Sequence, residues 1–523
     1  MAAMLEIGER PRLRKALRAL APFFFGASAA LALAPFYLLP LFAVAFSALI
    51  LRLDRRAKEA RPVRGAFVDG WLFGFGYFLV GVYWMAFSFF VQAETFAWMA
   101  PFAMLGMPAF LAFFYAGACA VSVLMWRRGW ARIFLFAAIL CAFEYARGHI
   151  LTGLPWNLPG QVLAGSAVGA QGAAYVGVYG LSVIVVLLAA APAARVTEAT
   201  NWRSFAHGAL VSVIGIAVLF ALGAVRLSLP EVERENPPLL RIVQPNIPQR
   251  EKIDPALRVR NFHRLLDLSK GGLPTDRIVY VIWPENAMPI LNEELGALSQ
   301  IEEALPPNAV LLAGGVRRAR DTLGDMRYYN SIFVAPQTPE GRRVIDAYDK
   351  HHLVPFGEYL PLQGLLRAVG LAQLAPYDDG FSAGPGPRVM TAGGPSFSPL
   401  ICYEAIFPGA IHPQDQRPEW LLAVTNDAWF GDTSGPRQHL DQARLRSIET
   451  GLPMARSANT GVSALIDAKG RMRARAKLYT RARIDGPLPA TAAPTLYTRL
   501  GDNVYLAMTL LLLGLATLLR RKI

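Results

Sequence analysis

The apolar positions of this 523-residue chain follow three rhythms. From residue 16 to 227 they form long, nearly unbroken runs. From 228 to 502 they come in short runs divided by charged and turn-forming residues, and from 503 to 519 the long-run pattern returns. A helix that crosses a bilayer needs about 20 predominantly apolar residues, and the first region supplies that several times. The pattern predicts spans at 17–34, 36–52, 66–90, 99–125, 131–147, 168–191, 205–227 and 503–519. "ALAPFYLLP" barely separates the first two, which read either as a tight hairpin or as one broken helix. The stretch from Leu17 to Leu53 is too long for the core of a cleaved signal peptide, and further spans follow it.

The middle region has a different grammar. "LLRIVQPNI" (239–247), "RIVYVIWPE" (277–285), "AVLLAGGV" (309–316), "SIFVAP" (331–336), "SPLICYE" (398–404) and "WLLAVTNDAWF" (420–430) are short and β-rich. Near-continuous apolar strands are covered on both faces. Between some of them the spacing predicts helices, at 255–269 and 436–451. Strands mixed with helices predict a layered α/β sandwich. The chain therefore divides into spans at 1–227, an α/β domain at 228–485, a Pro-rich return linker at 486–502, and a last span with its tail at 503–523.

Charge gives this layout an orientation. Hydrophobic residues make up 54% of the chain and charged residues 17%, yet the net charge is +14. The excess sits between spans. Arg10, Arg12, Arg14, Lys15 and Arg18 precede the first, and Arg52, Arg55, Arg56, Lys58, Arg61 and Arg64 separate the second from the third. Arg127, Arg128 and Arg132, then Arg195 and Arg203, and finally Arg520, Arg521 and Lys522 continue the alternation. The other loops, near 35, 88–98 and 148–167, have no Lys or Arg. Lys and Arg gather on the cytoplasmic side of short loops. Both termini are then cytoplasmic, and seven crossings put 228–502 outside the cytoplasm. Because the clusters abut apolar spans, a nucleic-acid partner is not expected.

Cys119 and Cys141 fall in predicted spans and Cys402 in the outer domain, so an internal disulfide is not expected. A lone thiol in an oxidising compartment is a liability, which points to reactivity at Cys402. By itself a free cysteine reads more simply as a small buried hydrophobe.

Polar groups just past the ends of buried strands are where α/β proteins place their sites. Three such ends, the third closing the run "RVIDAYDK" (343–350), supply Glu285, Cys402 and Lys350. A thiolate attacks carbonyls, a carboxylate takes up its proton, and an ammonium steadies an oxyanion. These are the groups acyl transfer needs, although spacing alone does not select them from the other Glu and Lys residues. His351 and His352 invite a metal, but no Cys or carboxylate falls at ligand spacing nearby.

Four ordered motifs narrow the choice: "WPENAMP" (283–289), "YDKHHLVPFGEYLP" (348–361), "LICYEAIFP" (400–408) and "TNDAWFG" (425–431). They resemble the nitrilase superfamily and its Glu-Lys-Cys triad. The "HLVPFGEYLP" form and the flanking spans resemble its membrane-embedded branch, the apolipoprotein N-acyltransferase family.

The resemblance implies an eight-helix transmembrane bundle with an extracytoplasmic nitrilase-like αββα domain. It implies a bacterial inner-membrane enzyme, monomeric, with a periplasmic catalytic domain and no cofactor. Its acyl donor would be a phospholipid and its acceptor a diacylglyceryl apolipoprotein. Glu285 matches the general base, Lys350 the oxyanion lysine and Cys402 the nucleophile. Glu358 matches a second essential glutamate, with ion pairing to Lys350 as its plainer reading. Tyr403 and Glu404 match the pair after the nucleophile, and Glu404 equally reads as a brace. Asn330, Asn426 and Trp429 match positions that line or support the pocket. "NIPQREKID" carries Ile253 where the family often has Trp, so no acyl-chain role is expected there. "YLPLQGLLRAVGLAQLAPY" (359–377) reads as an apolar lid or as an ordinary surface helix. Two rivals remain: a membrane-tethered amidase acting on a small C–N substrate, and a transporter with an outer binding domain. Intramembrane charge is sparse for the latter, and Glu144 with Arg147 reads as an interior pair.

Overall fold

A computed structural model describes residues 11–194, 202–288, 295–322, 324–361 and 380–520. The chain forms two compact units, 1–227 with 500–523, and 228–499.

The first unit is helical. Its long helices are α1 (Pro11–Ala30), α2 (Leu39–Arg56), α3 (Pro62–Val82), α4 (Ala100–Leu124), α5 (Trp130–His149), α6 (Ala173–Ala190) and α7 (Trp202–Ser228), and Asn503–Arg520 closes it. The stretch around "ALAPFYLLP" is a turn, so the hairpin reading holds and α1 and α2 are separate. Among the described residues four stretches are long and apolar enough to cross a membrane: Pro62–Phe90, Ala93–Leu124, Gly169–Ala193 and Arg203–Ser228. Asn503–Leu519 is apolar but shorter.

Without a hydrophobic drive between helices in lipid, close backbone approach through small residues becomes the main source of packing energy. Gly26 of α1 and Gly76 of α3 show it. A Cβ on Gly26 would strike the Phe73 carbonyl, and one on Gly76 the Phe23 carbonyl. Asp69 of α3, fully buried, takes Arg52 Nε at 2.8 Å and Arg56 Nε at 2.7 Å. Glu144 and Arg147 form the expected interior pair, and Arg147 also donates to the carbonyls of Leu154 and, at 3.0 Å, Trp156. A charge satisfied in this way holds structure rather than opening an ion path.

The second unit is a four-layer sandwich. The first sheet is built from β1 (Leu239–Gln244), β2 (Val279–Met288), β3 (Ala309–Arg320), β4 (Met326–Ala335) and β5 (Asp346–Asp349). The second contains β6 (Phe397–Ile401), β7 (Trp420–Thr425), β8 (Met454–Ala458), β9 (Ala464–Ile466) and β10 (Met472–Arg475). A last strand, β11 (Ala482–Pro487), returns to the first sheet, whose order is β11-β1-β2-β3-β4-β5; the second runs β10-β9-β8-β7-β6. β1, β2 and β3 are mutually parallel, as are β6, β7 and β8.

Side chains alternate across a strand, and the core shows it. Leu240, Ile242, Tyr280, Ile282, Val310 and Leu312 meet Phe397, Ile401, Trp420, Leu422 and Val424 between the sheets. Their neighbours Val279, Val281, Trp283, Ala309 and Leu311 face outward, against Leu265 and Leu266 of α8 (Arg258–Ser269) and Ile301 of α9 (Leu295–Ala304). Leu400, Leu421 and Ala423 likewise meet Leu440 and Ala443 of α10 (Gly435–Thr450). Of the apolar segment 359–377, residues 362–377 lie outside the described residues.

Candidate active site

The ends of β2, β5 and β6 converge. β2 runs apolar to Trp283 and then places Glu285, 6% exposed, at its carboxyl end. Gly314 of β3 lets the chain pass there, since a Cβ would strike the Pro284 carbonyl. Lys350 follows β5 directly, its backbone N–H bound to the Asn330 carbonyl at 2.8 Å. The preceding Asp349 is clamped by Arg317 Nη2 at 2.6 Å and Ser331 Oγ at 2.6 Å, which fixes where Lys350 leaves the strand.

The charges meet around Lys350, which is 1% exposed. Its Nζ lies 2.7 Å from Glu358 Oε2 and 4.0 Å from Glu285 Oε1. Asn330 Nδ2 bridges the two carboxylates, donating to Glu285 Oε1 at 2.7 Å and Glu358 Oε1 at 2.9 Å. The Val354 N–H also donates to Glu358 Oε2. Burial would drive the ammonium toward neutrality, but the charges of Glu358, Glu285 and Cys402 outweigh it and raise its pKa. Lys350 therefore remains a cation.

Cys402 follows β6 with φ 51°, a left-handed conformation that costs a non-glycine residue about 1–3 kcal/mol. Such strain at a strand end turns the side chain out of the sheet. The thiol is half-buried. Desolvation pushes its pKa up and Glu285 pushes it further, while Lys350 opposes both. The resting group is a thiol.

Glu404, 1% exposed, is the brace of the turn. Oε1 accepts from the Tyr348 hydroxyl and the His351 N–H, both at 2.8 Å, and Oε2 from the Ile401 N–H at 2.7 Å. One carboxylate thus ties the strand end that carries Lys350 to the one that carries Cys402. Burial raises its pKa, but bonds and charge from His351 with the Ile401 N–H bring it below the ordinary glutamate value. Tyr403 packs edge-on to Phe407 and His352.

Known proteins resemble the chain throughout its length. A family model described as the apolipoprotein N-acyltransferase N-terminal domain matches residues 25–191, and one described as carbon-nitrogen hydrolase matches 239–488. An apolipoprotein N-acyltransferase of Rhodopseudomonas palustris is 40% identical over 514 residues, covering 96% of this chain and 95% of that protein. Proteins of the same name from Bradyrhizobium diazoefficiens and Caulobacter vibrioides are 40% and 39% identical, over 97% and 98% of this chain and 95% and 96% of theirs. The chain belongs to the apolipoprotein N-acyltransferase family.

For a member of the apolipoprotein N-acyltransferase family, the remaining motif residues divide between site and frame. Asn330 touches both carboxylates. Asn426 has both ends of its amide occupied elsewhere, giving Nδ2 to Gln249 Oε1 at 2.7 Å and accepting from Asn459 Nδ2 at 3.0 Å. That amide chain braces the loop after β1. Trp429 is partly exposed on the short turn Asp427–Phe430. Sequence reading missed Lys252, in the segment after β1, whose Nζ donates to the Glu285 carbonyl at 2.7 Å. Desolvation lowers its pKa to about 8, against the raising pull of Glu285 and Cys402. Its place just past a parallel strand was the available signal. His439 of α10 was missed as well, because the stretch 436–451 was read only as a helix.

Proposed function

We propose that this chain completes lipoprotein maturation as an N-acyltransferase. It moves the sn-1 acyl chain of a phospholipid, typically phosphatidylethanolamine, onto the α-amine of a diacylglyceryl-cysteine on an apolipoprotein. The observation that carries this reading is the buried cluster of Lys350 with Glu285 and Glu358, electrostatically coupled to Cys402. The family membership and the membrane-length helices of the same chain supply the lipid context.

The reaction has two half-steps. Cys402 Sγ attacks the ester carbonyl as Glu285 takes the thiol proton; the raised thiol pKa supports this coupling. Lys350 and the Tyr403 N–H hold the tetrahedral oxyanion. The C–O bond breaks, Glu285 returns the proton to the leaving oxygen, and the lysophospholipid departs from a thioester on Cys402. The acceptor amine then attacks the thioester, its proton passes to Glu285, and the C–S bond breaks. Proton return to sulfur regenerates the thiol. No cofactor is required, since the ester carries the activation. Glu358 and Asn330 keep Lys350 and Glu285 in register for both steps.

The alternation of basic and uncharged loops supports eight crossings in the bacterial inner membrane, both termini cytoplasmic and the catalytic domain periplasmic. A monomer suffices, since every group invoked belongs to one chain. A membrane-tethered amidase would share the triad but leave the apolar helices without a purpose.

The test is to incubate the purified full chain with acyl-labelled phosphatidylethanolamine and follow intact mass. An acyl adduct on Cys402, lost in C402A and discharged by a diacylglyceryl-cysteine peptide, is expected. A protein that stays unmodified with the phospholipid donor alone rules the reading out.

A further inference from the structure

Beneath the nucleophile lies a buried polar cluster that the proposed chemistry does not use. His439 of α10 is 1% exposed, as is Asp427 in the turn after β7, and Arg456 of β8 is fully buried. His439 Nδ1 lies 2.8 Å from Asp427 Oδ1, and His439 Nε2 lies 3.1 Å from the backbone carbonyl of Cys402. Asp427 is itself held from two other sides. Thr425 Oγ1 donates to Oδ1 at 2.9 Å, and Arg456 Nη2 donates to Oδ2 at 3.0 Å while passing 3.2 Å from His439 Nδ1.

The chemistry of the partners orients the ring. Burial would raise the Asp427 carboxyl, but Arg456, His439 and Thr425 hold it down at about 2. It is a carboxylate, which only accepts, and it faces Nδ1 with Arg456 Nη2 alongside. A backbone carbonyl also only accepts, so Nε2 must carry a proton to bond Cys402. The ring therefore spans from an anchored carboxylate to the main chain of the nucleophile.

That carbonyl belongs to the residue whose φ of 51° turns the thiol out of the sheet. Strained backbone persists only where its surroundings over-determine it. We infer that His439 is a positioning residue for acyl transfer: its Nε2–H grips the Cys402 carbonyl and holds the nucleophile in its left-handed turn, with Asp427, Arg456 and Thr425 as the anchor. The inference rests on the acyl-transfer reading of Cys402 but concerns the thiol's placement, which is measurable without lipid.

Two substitutions separate positioning from plain core stability. In H439Q the amide nitrogen reaches where Nε2 stood and keeps the bond to Cys402. In H439N it reaches only where Nδ1 stood and keeps the bond to Asp427. For the detergent-purified full chain, two rates are measured: alkylation of Cys402 by iodoacetamide, and acyl-thioester formation from labelled phosphatidylethanolamine. Thermal unfolding checks each fold. A misplacement of about 1 Å costs on the order of 10²-fold in rate. H439N is expected to slow both reactions by about that factor, with the loss in kcat rather than KM, while H439Q stays within about tenfold of wild type. H439N matching or exceeding H439Q overturns the inference, as does a folded H439Q as slow as H439N. If H439N fails to fold, D427N gives the second reading, since it frees the ring to turn: parallel slowing supports the inference and unchanged rates overturn it. If the wild type forms no thioester while H439N still slows alkylation relative to it, the acyl-transfer reading falls and the positioning role stands.

Discussion

Glu358 and Lys350 form a buried ion pair, Oε2 to Nζ at 2.7 Å, while Glu285 stands 4.0 Å from the same ammonium. The closer carboxylate is thus not the one proposed as base. Glu358 balances the lysine's charge, and Glu285, the proposed base, stands off it. Breaking one side of a buried pair costs about 3–5 kcal/mol, whereas replacing both sides with apolar groups costs much less. E358A is expected to lose about that much stability and nearly all acyl loading. The double variant E358A/K350M should unfold at a higher temperature than E358A alone. Equal destabilisation of the two would show that the pair carries no such energy.

The Cys402 thiol is pushed up by desolvation and by Glu285, and pulled down by Lys350. The midpoint pH for its alkylation should therefore fall in E285Q and rise in K350M. E285Q should nonetheless be inactive in acyl transfer, because the proton has lost its acceptor. An alkylation profile identical in wild type and both variants would contradict the coupling.

Lys252, lowered to about 8 by desolvation, is close to half deprotonated at pH 8. An ordinary lysine is then well under about 1% deprotonated. Competitive labelling with acetic anhydride across a pH series, read by peptide mass, should single out Lys252 with a midpoint near pH 8. A midpoint above pH 10 would show that the site does not desolvate this amine.

Glu404 satisfies the Tyr348 hydroxyl and the N–H groups of His351 and Ile401 with one carboxylate. Each buried donor left unsatisfied costs about 1–3 kcal/mol. E404A is expected to lose more than about 3 kcal/mol, together with acyl loading, since both strand ends lose their common tie. Denaturant unfolding in detergent measures the first and intact mass the second. A stable E404A that still loads acyl chains would remove the bracing role.

Much of this was legible along the chain. Long apolar runs broken by basic clusters speak through composition, and so do strands that end on Glu285, Lys350 and Cys402. Those signals are local, since a buried strand is apolar wherever its partners lie. Roles set by distant partners were not legible. The Glu358–Lys350 pair, only 8 residues apart, was anticipated, whereas Glu404 was open to two readings because its partner Tyr348 stands 56 residues away. Asn426 belonged to a quoted motif, yet its amide turns to Gln249, 177 residues earlier.

Sequence by itself determined the alternation of apolar helices and α/β domain and the charge bias of the loops, while the choice of Glu285, Lys350 and Cys402 among the polar groups at strand ends came from the motif resemblance. The alternation and the bias follow from periodicity and transfer energy, which each segment carries alone. Only the tertiary structure decided that Asn330 bridges two carboxylates, that Lys252 reaches the Glu285 carbonyl, and that His439 meets the Cys402 backbone. The reason is geometric. Hydrogen bonds act over about 3 Å, and such proximity between residues far apart in sequence exists only once two sheets and the α10 layer have packed.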